Sequence, residues 1–145
     1  VMEISYCCAA RVSDVLTLMR EQELPEGLFI KQGKTGKEQI KEWTDRLRGA
    51  VELAKSAQET KSFGRIVANE KGQPITYDAF RSRWNKAKAK AKKENSEINF
   101  DFTFHDIKAK AISDWTGDKK QFSGHKSDSQ VAVYDRKVEV VKTHE

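Results

Sequence analysis

The sequence has little of what marks membrane, disulfide-rich or zinc-binding proteins. Its 145 residues include two cysteines, adjacent at Cys7 and Cys8, and three histidines. Adjacent cysteines rarely bridge each other, so we expect free thiols in a reducing compartment, and no histidine or cysteine cluster has zinc-site spacing. No apolar run approaches the ~20 residues that cross a bilayer, and no signal peptide is visible. These absences favour one globular, cytoplasmic domain that holds no metal.

Proline and glycine are also scarce, with two and eight residues, and they mark turns. Gly33 and Gly36 lie between two short segments with strand character, which predicts a β-hairpin over residues 28–41. Residues 65–68 have the composition of a further short strand. Most other apolar residues recur at helical spacing, which predicts helices over residues 1–20 (bent near 9–11), 45–56, 77–94 and from 104 onward. The expected fold is therefore α+β: a mainly helical body with a small antiparallel sheet.

Charge is what the sequence has in abundance, with 34% charged residues and a net charge of +5. A modest positive excess permits a polyanionic partner without requiring one. The most basic segment is the predicted helix behind Thr76, whose apolar stripe is Phe80, Trp84, Ala87 and Ala91. A solvated charged helix is the alternative to a DNA-contacting one. The candidate DNA-contacting residues, on this helix, the hairpin and a later loop, are Arg81, Arg83, Lys86, Lys88, Lys90, Lys31, Lys37 and Lys126.

Six residues spread along the chain form a candidate catalytic set: Arg11, Lys34, His105, Lys108, His125 and Tyr134. Taken singly, each has an ordinary alternative as a solvated cation, a structural histidine or a buried tyrosine. As a set, five cationic or potentially cationic groups and one hydroxyl suit attack of a phenol on a phosphodiester, because negative charge builds on the phosphate oxygens. A lysine can protonate the leaving oxygen, and a histidine can accept the phenol proton. The sequence contains neither a P-loop nor a Gly-x-Ser-x-Gly motif, either of which would have indicated a different chemistry.

Four motifs carry these residues in a fixed order: ARVSDVLTL (10–18), KTGK (34–37), FHDIKAKAISD (104–114) and SGHKSDSQVAVYDRK (123–137). Each motif is short, but together they span nearly the whole chain. In this order they resemble the catalytic domain of phage-type integrases, the tyrosine recombinases.

The resemblance implies DNA strand cleavage and rejoining, hence site-specific recombination or integration, with no metal ion, ATP or other cofactor. Tyr134 would attack DNA to form a 3′-phosphotyrosine and release a 5′-hydroxyl. Arg11 and His125 would bind the phosphate, Lys34 would be the general acid, and His105 would accept a proton or bind the phosphate.

The resemblance also implies partners and a location. Double-stranded DNA would be bound by a homotetramer that exchanges C-terminal tails, a role suited to residues 138–141, whereas the isolated chain would be a monomer. Because the chain enters helical sequence directly at Val1, we expect the catalytic domain (residues 1–145) of a longer protein, without its N-terminal core-binding and arm-binding domains. Family members act on phage or prophage DNA in the cytoplasm of a bacterial cell or phage-infected host.

Two departures from the family pattern bear on activity. Lys108 stands where the family has arginine, so the charge is kept but the planar two-pronged donor is lost. Losing one charge-assisted hydrogen bond costs roughly 1.5–3 kcal/mol, or about one to two decades in rate. The segment between His105 and His125 is short, and Ser123 stands where the family prefers leucine. These departures leave open a degenerate integrase domain that only binds DNA. A relaxing enzyme like the type IB topoisomerases, which shares the chemistry, is a further alternative, although the phage-like motifs argue against it.

Overall fold

A computed structural model of the chain describes residues 1–58, 64–138 and 141. Within those ranges it contains seven α-helices, a 3₁₀ turn and a two-stranded antiparallel sheet, so the predicted α+β class is confirmed. In chain order the elements are α1 (Met2–Cys8), α2 (Val12–Leu16), the 3₁₀ turn (Arg20–Gln22), β1 (Gly27–Lys31), β2 (Glu38–Glu42), α3 (Asp45–Ser56), α4 (Tyr77–Glu94), α5 (His105–Asp114), α6 (Lys119–Ser123) and α7 (Asp128–Ala132).

Three helices begin behind a residue whose hydroxyl caps them. The hydroxyl of Thr44 accepts from the backbone N–H of Leu47 at 3.2 Å, and Thr76 caps α4 in the same way. Ser127 accepts from the N–H of Gln130 at 3.4 Å at the start of α7. Each cap satisfies a backbone donor that has no partner inside the helix. The starts of α3, α4 and α7 are therefore encoded locally.

The bend predicted near residues 9–11 is a true break between α1 and α2. Ala9 ends α1 with φ of 49° and ψ of 36°, a left-handed conformation that is uncommon outside glycine. The chain then extends through Arg11, which is the N-cap residue of α2. The prediction that the second helix runs to residue 20 is wrong, since α2 ends at Leu16. The hydroxyl of Thr17 bonds to backbone carbonyls of that helix, and such bonds compete with helix continuation.

The predicted hairpin is confirmed, with β1 and β2 paired from Gly27 opposite Glu42 to Lys31 opposite Glu38. Gly36 has φ of +67° in the connecting turn, which a glycine adopts without strain. The strand predicted over residues 65–68 is wrong. Arg65 forms one isolated bridge with Met19, because no neighbouring strand extends the pairing.

The main core is formed by residues of α1, α2, β1, α3 and α4. Ile4, Val15, Leu28, Leu47 and Ile66 are almost fully buried in it. A smaller cluster beneath α5 holds Ala9, Ala111, Ile112 and Val131, and the ring of Tyr134 packs against its edge. This second cluster anchors the end of α7 to α5.

The apolar stripe predicted on α4 is only partly correct. Phe80 is buried and Trp84 is half-buried, and both rings pack edge-on against Phe104, with centroids 4.8 and 5.0 Å apart. Ala87 is exposed, which corrects the stripe at that position, whereas Ala91 is half-buried. In the part of the chain that the structure describes, no helix combines the length and apolar character that a membrane span requires.

Candidate active site

The site is built where five separate segments meet: the α1–α2 break, the hairpin, the N-terminal half of α5, the α6–α7 turn and the residues just after α7. Arg11 and His105 line one cleft of about 310 Å³, and Lys108 forms its floor. His125 and Tyr134 lie beside Lys108. The structure therefore brings together five of the six residues that the sequence singles out, and the sixth, Lys34, is treated below.

Tyr134 is half-buried, and its ring lies among three of the predicted residues. It stacks on His125 with ring centroids 4.8 Å apart and planes 23° apart, and its centroid is 5.5 Å from that of His105. The ammonium of Lys108 is 5.6 Å from the ring centroid. The backbone after α7 is fixed by the Ser113 hydroxyl, which donates to the Tyr134 carbonyl at 3.2 Å. The tyrosine is therefore held at the cluster and not displaced from it.

Lys108 is buried, with only 2% of its surface exposed, and its Nζ has no hydrogen-bond partner among the described residues. Burial, and then the positive charge of Arg11, lowers the pKa of the Lys108 ammonium to about 7; nearby Asp14 opposes this and Lys34 and Lys41 add to it. A buried donor left unpaired costs about 1–3 kcal/mol. An anion placed at Nζ would remove that penalty.

His125 provides a second buried group that lacks a partner. Its Nδ1 is 2.7 Å from the hydroxyl of Ser123, whereas its Nε2 is buried and unpaired among the described residues. Burial, followed by the charges of Lys108 and Arg11, lowers the pKa of His125 to about 4. The imidazole is therefore neutral near pH 7, and Ser123 fixes its ring plane. A ring nitrogen and an ammonium, both buried and without a partner among the described residues, thus lie beside Tyr134.

His105 is the exposed member of the cluster. Partial burial, then Lys108 and Arg11, lowers its pKa below the usual 6.5, and the neighbouring carboxylate of Asp106 opposes that shift. A neutral, solvent-accessible imidazole close to a tyrosine ring can accept a proton. Asp106 itself accepts from both the backbone and the hydroxyl of Thr103, so the first turn of α5 is fixed.

The sixth predicted residue, Lys34, lies in the hairpin turn. It is exposed, and its charge contributes to the low pKa of Lys108, so the two ammonium groups are close enough to interact electrostatically. The Oδ1 atom of Asp14 accepts from the backbone N–H of Gly33 at 3.0 Å. This bond ties the base of the turn to α2, while the side chain of Lys34 stays free to reach outward.

Sequence reasoning missed three hairpin side chains that contact the C-terminal end of α6. Gln39 and Lys41 donate to the carbonyls of Gln121 and Phe122, and Gln32 donates to that of Ser123. These contacts join residues about 80 to 90 positions apart, so no local period or cap signal could have indicated them. Burial lowers the pKa of the Lys41 ammonium to about 8.

The predicted DNA-contacting residues fall into three groups. Arg81, Arg83, Lys86, Lys37 and Lys126 are exposed. Lys31 pairs with Glu38 at 2.9 Å and Lys90 with Glu94 at 3.8 Å, so part of their charge is already neutralised. Lys88 is half-buried and donates to the Phe102 carbonyl at 2.7 Å, which makes it a structural contact between α4 and the loop before α5.

Within the described ranges, no three His, Cys, Asp or Glu side chains cluster as metal ligands would. What the arrangement offers instead is a hollow with a guanidinium, an ammonium and two imidazoles beside a phenol. Such a set can hold and polarise a phosphate-sized anion.

Comparison of the sequence with protein-family models gives no match, and comparison with curated proteins gives none either. Comparison of the fold with solved structures does give matches. A lambda integrase dimer bound to a COC′ core site is 20% identical, with a TM-score of 0.69 over 99% of this chain and 54% of that one. A lambda integrase tetramer bound to a Holliday junction is 19% identical, with a TM-score of 0.69 over 99% and 44%.

A second integrase has the same architecture. The Tn1549 transposon integrase in complex with circular intermediate DNA is 15% identical, with a TM-score of 0.67 over 95% of this chain and 53% of that one. The chain thus spans about half the length of these integrases. At this level of identity the likeness establishes the fold, and the fold that the motif resemblance predicted is confirmed. The chain has the α+β fold of integrase catalytic domains.

Proposed function

We propose that this chain is the catalytic domain of a longer tyrosine recombinase, which cuts and rejoins DNA in site-specific recombination of phage or prophage DNA. The observation that carries the proposal is a pair of buried groups beside Tyr134, the Nζ of Lys108 and the Nε2 of His125, for which the described residues offer no hydrogen-bond partner. A folded protein keeps such groups unpaired only at a cost, and a phosphate would satisfy both.

In the proposed reaction, the phenolic oxygen of Tyr134 attacks the scissile phosphorus and the bond to the 5′-oxygen breaks. His105 takes the phenol proton, and Lys34 gives a proton to the leaving 5′-oxygen. Arg11 and Lys108 bind the nonbridging oxygens, where negative charge accumulates, and His125 contacts the same phosphate. Attack of a 5′-hydroxyl on the phosphotyrosine reverses each step. The phosphoester bond is exchanged and not hydrolysed, so the reaction needs no ATP.

The proposed assembly is a tetramer on two double-stranded DNA sites in the bacterial cytoplasm. The neighbouring structures include a DNA-bound lambda integrase dimer and a tetramer on a Holliday junction. The tail that we expect to be exchanged covers residues 138–141, of which 139 and 140 lie outside the described residues. Val138 and Val141 are exposed, so their apolar side chains are accessible to a second subunit.

The test is a suicide DNA substrate, nicked so that the 5′-hydroxyl is lost after cleavage. We expect the protein to accumulate as a covalent DNA complex that survives denaturing electrophoresis. A protein that binds the duplex yet never yields this complex would contradict the enzymatic proposal.

Lys108 favours the second candidate function, a domain that binds DNA without cutting it. Its ammonium has a pKa near 7 and a single point of charge in place of a two-pronged guanidinium. If the domain is a slow enzyme, Lys108→Arg should raise the cleavage rate about 10- to 100-fold, matching one restored charge-assisted hydrogen bond. Binding without a covalent complex in either variant would favour the binding-only function.

The exposed face of α4 is proposed to contact DNA phosphates. Arg81 lies on the α4 face that borders the site, in a groove of about 270 Å³ that it shares with Tyr77. We expect Arg81→Ala to lessen the slope of log affinity against log salt by about 1, because one counterion fewer is released. Fluorescence anisotropy at several salt concentrations measures the slope. Lys93→Ala is the matched control, at an exposed position about 120° around α4 from Arg81 and about 18 Å further along it. Equal slopes in the two variants would rule out the Arg81 contact.

A further inference from the structure

The hairpin holds the end of α6 through a run of three hydrogen bonds. Gln39 donates to the Gln121 carbonyl at 2.6 Å, Lys41 donates to the next carbonyl, and Gln32 donates to that of Ser123 at 2.9 Å. These carbonyls lie at the C-terminal end of the helix, where intrahelical donors are lacking, and that of Gln121 also accepts from the backbone N–H of Gly124 at 3.3 Å. The hairpin therefore supplies side-chain donors to the last carbonyls of α6.

Gln32 differs from the other two because it also contacts the opposite side of the site. It is 4% exposed, and its Oε1 accepts from Nη1 of Arg11 at 3.3 Å and from the hydroxyl of Thr35 at 3.1 Å. Its amide nitrogen faces Ser123 at the same time. One buried amide thus joins the α1–α2 break, the hairpin turn and the α6–α7 turn.

The contact with Ser123 leads directly to the imidazole. The Ser123 hydroxyl is 2.7 Å from Nδ1 of His125, and Gly124 lies between them with φ of +69°. A Cβ atom on Gly124 would lie 2.5 Å from the Gln32 amide nitrogen, so this close approach of hairpin and turn requires a glycine. Displacing Gln32 would therefore move the carbonyl, the hydroxyl and the ring together.

We propose that Gln32 is a positioning residue that sets the separation between the Arg11 guanidinium and the His125 imidazole on the two sides of the bound phosphate. The proposal rests on the proposed function for its catalytic consequence and on the hydrogen bonds alone for its structural one. Gln32 touches neither the phosphate nor Tyr134 in this scheme. Its effect is transmitted through Oε1 to Arg11 and through Nε2 to the Ser123–His125 turn.

The experiment compares Gln32→Met with Gln39→Met, which removes the neighbouring carbonyl contact but leaves Arg11 untouched. In single-turnover cleavage of a suicide substrate, we expect Gln32→Met to be about 10- to 100-fold slower, since a misplacement of about 1 Å can cost that much. DNA affinity should stay within about twofold, because Gln32 itself does not bind the phosphate. Gln39→Met should cleave at the rate of the unsubstituted protein.

A second readout does not depend on cleavage. In the DNA-free protein, the pKa of His125 followed by NMR should rise toward the usual 6.5 in Gln32→Met, because the loosened ring gains water, and should not move in Gln39→Met. If the unsubstituted protein never cleaves DNA, the proposed function fails and the His125 pKa still decides the role of Gln32. If Gln32→Met does not fold, Gln32→Asn, a neutral amide one methylene shorter that cannot reach both Arg11 and Ser123, is measured in its place. An unchanged His125 pKa together with cleavage no slower than in Gln39→Met would overturn the proposal.

Discussion

Lys108→Met is expected to reduce strand cleavage about 100- to 1,000-fold while raising the free energy of unfolding at pH 7 by about 1–3 kcal/mol. The loss follows because a preorganised cation at the phosphate disappears. The gain follows because a buried ammonium without a hydrogen-bond partner is replaced by an apolar side chain of similar length. Single-turnover cleavage and urea unfolding measure the two effects. A residue that stabilises the fold would lose both stability and activity, so opposite signs identify a functional charge.

The same substitution should alter how stability depends on pH. The folded-state pKa of Lys108 is about 7, below the ordinary 10.5 of the unfolded chain, so the unfolded state binds more protons between these values. Stability therefore rises with pH across that window, with a slope of up to ~1.4 kcal/mol per unit from this residue. Lys108→Met should remove that part of the rise. Lys41, with a pKa near 8, contributes in the same direction and stays in place.

Lys110→Met is the control for both effects. Lys110 lies on the same helix but faces solvent and pairs with Asp114 at 2.5 Å. It should leave cleavage unchanged and alter stability by less than about 1 kcal/mol, as exposed ion pairs do. If Lys108→Met destabilised the protein or cleaved DNA at the original rate, Lys108 would be an ordinary part of the fold.

Arg11→Ala is expected to slow cleavage by about 100- to 1,000-fold, the usual cost of removing one preorganised donor from a developing oxyanion. Its second consequence is electrostatic, because the Arg11 charge contributes to the low pKa of His105, Lys108 and His125. The pKa of both histidines should therefore rise in the variant, which NMR titration of the imidazole protons measures.

Arg11→Lys separates charge from geometry. The histidine pKa values should stay low because the charge is kept, whereas cleavage should recover only in part because the planar fork is lost. The control is Arg48→Ala on α3, away from the site. The guanidinium of Arg48 lies 4.7 Å from the centroid of the Trp43 ring. Unchanged histidine pKa values in Arg11→Ala would show that Arg11 does not belong to the cluster.

Much of the fold could be predicted because the relevant signals are local. The caps at Thr44, Thr76 and Ser127 depend on bonds to residues two or three positions away, and the hairpin depends on its turn residues. The wrong predictions concern features that depend on contacts with distant parts of the chain. Whether residues 65–68 form a strand depends on a partner, and the exposure of Ala87 depends on what packs against α4.

The sequence predicted which residues belong to the candidate site, but not the burial and hydrogen bonding of each of them. Motif order indicated Arg11, His105 and Tyr134, but nothing in the sequence shows that Lys108 is almost fully buried and unpaired. Burial of a lysine depends on packing among four elements. Ser123 departs from the motif pattern, and the structure shows that its hydroxyl contacts Nδ1 of His125 and so orients the ring.

The most direct test of a phosphate site beside a tyrosine nucleophile is peptide mapping of the protein–DNA complex formed on the suicide substrate. The account predicts that the DNA is attached through its 3′-phosphate to the peptide containing Tyr134, and that Tyr134→Phe binds the duplex with similar affinity but yields no covalent complex. Attachment to Tyr6, Tyr77 or a serine, or an undiminished yield in Tyr134→Phe, would contradict it.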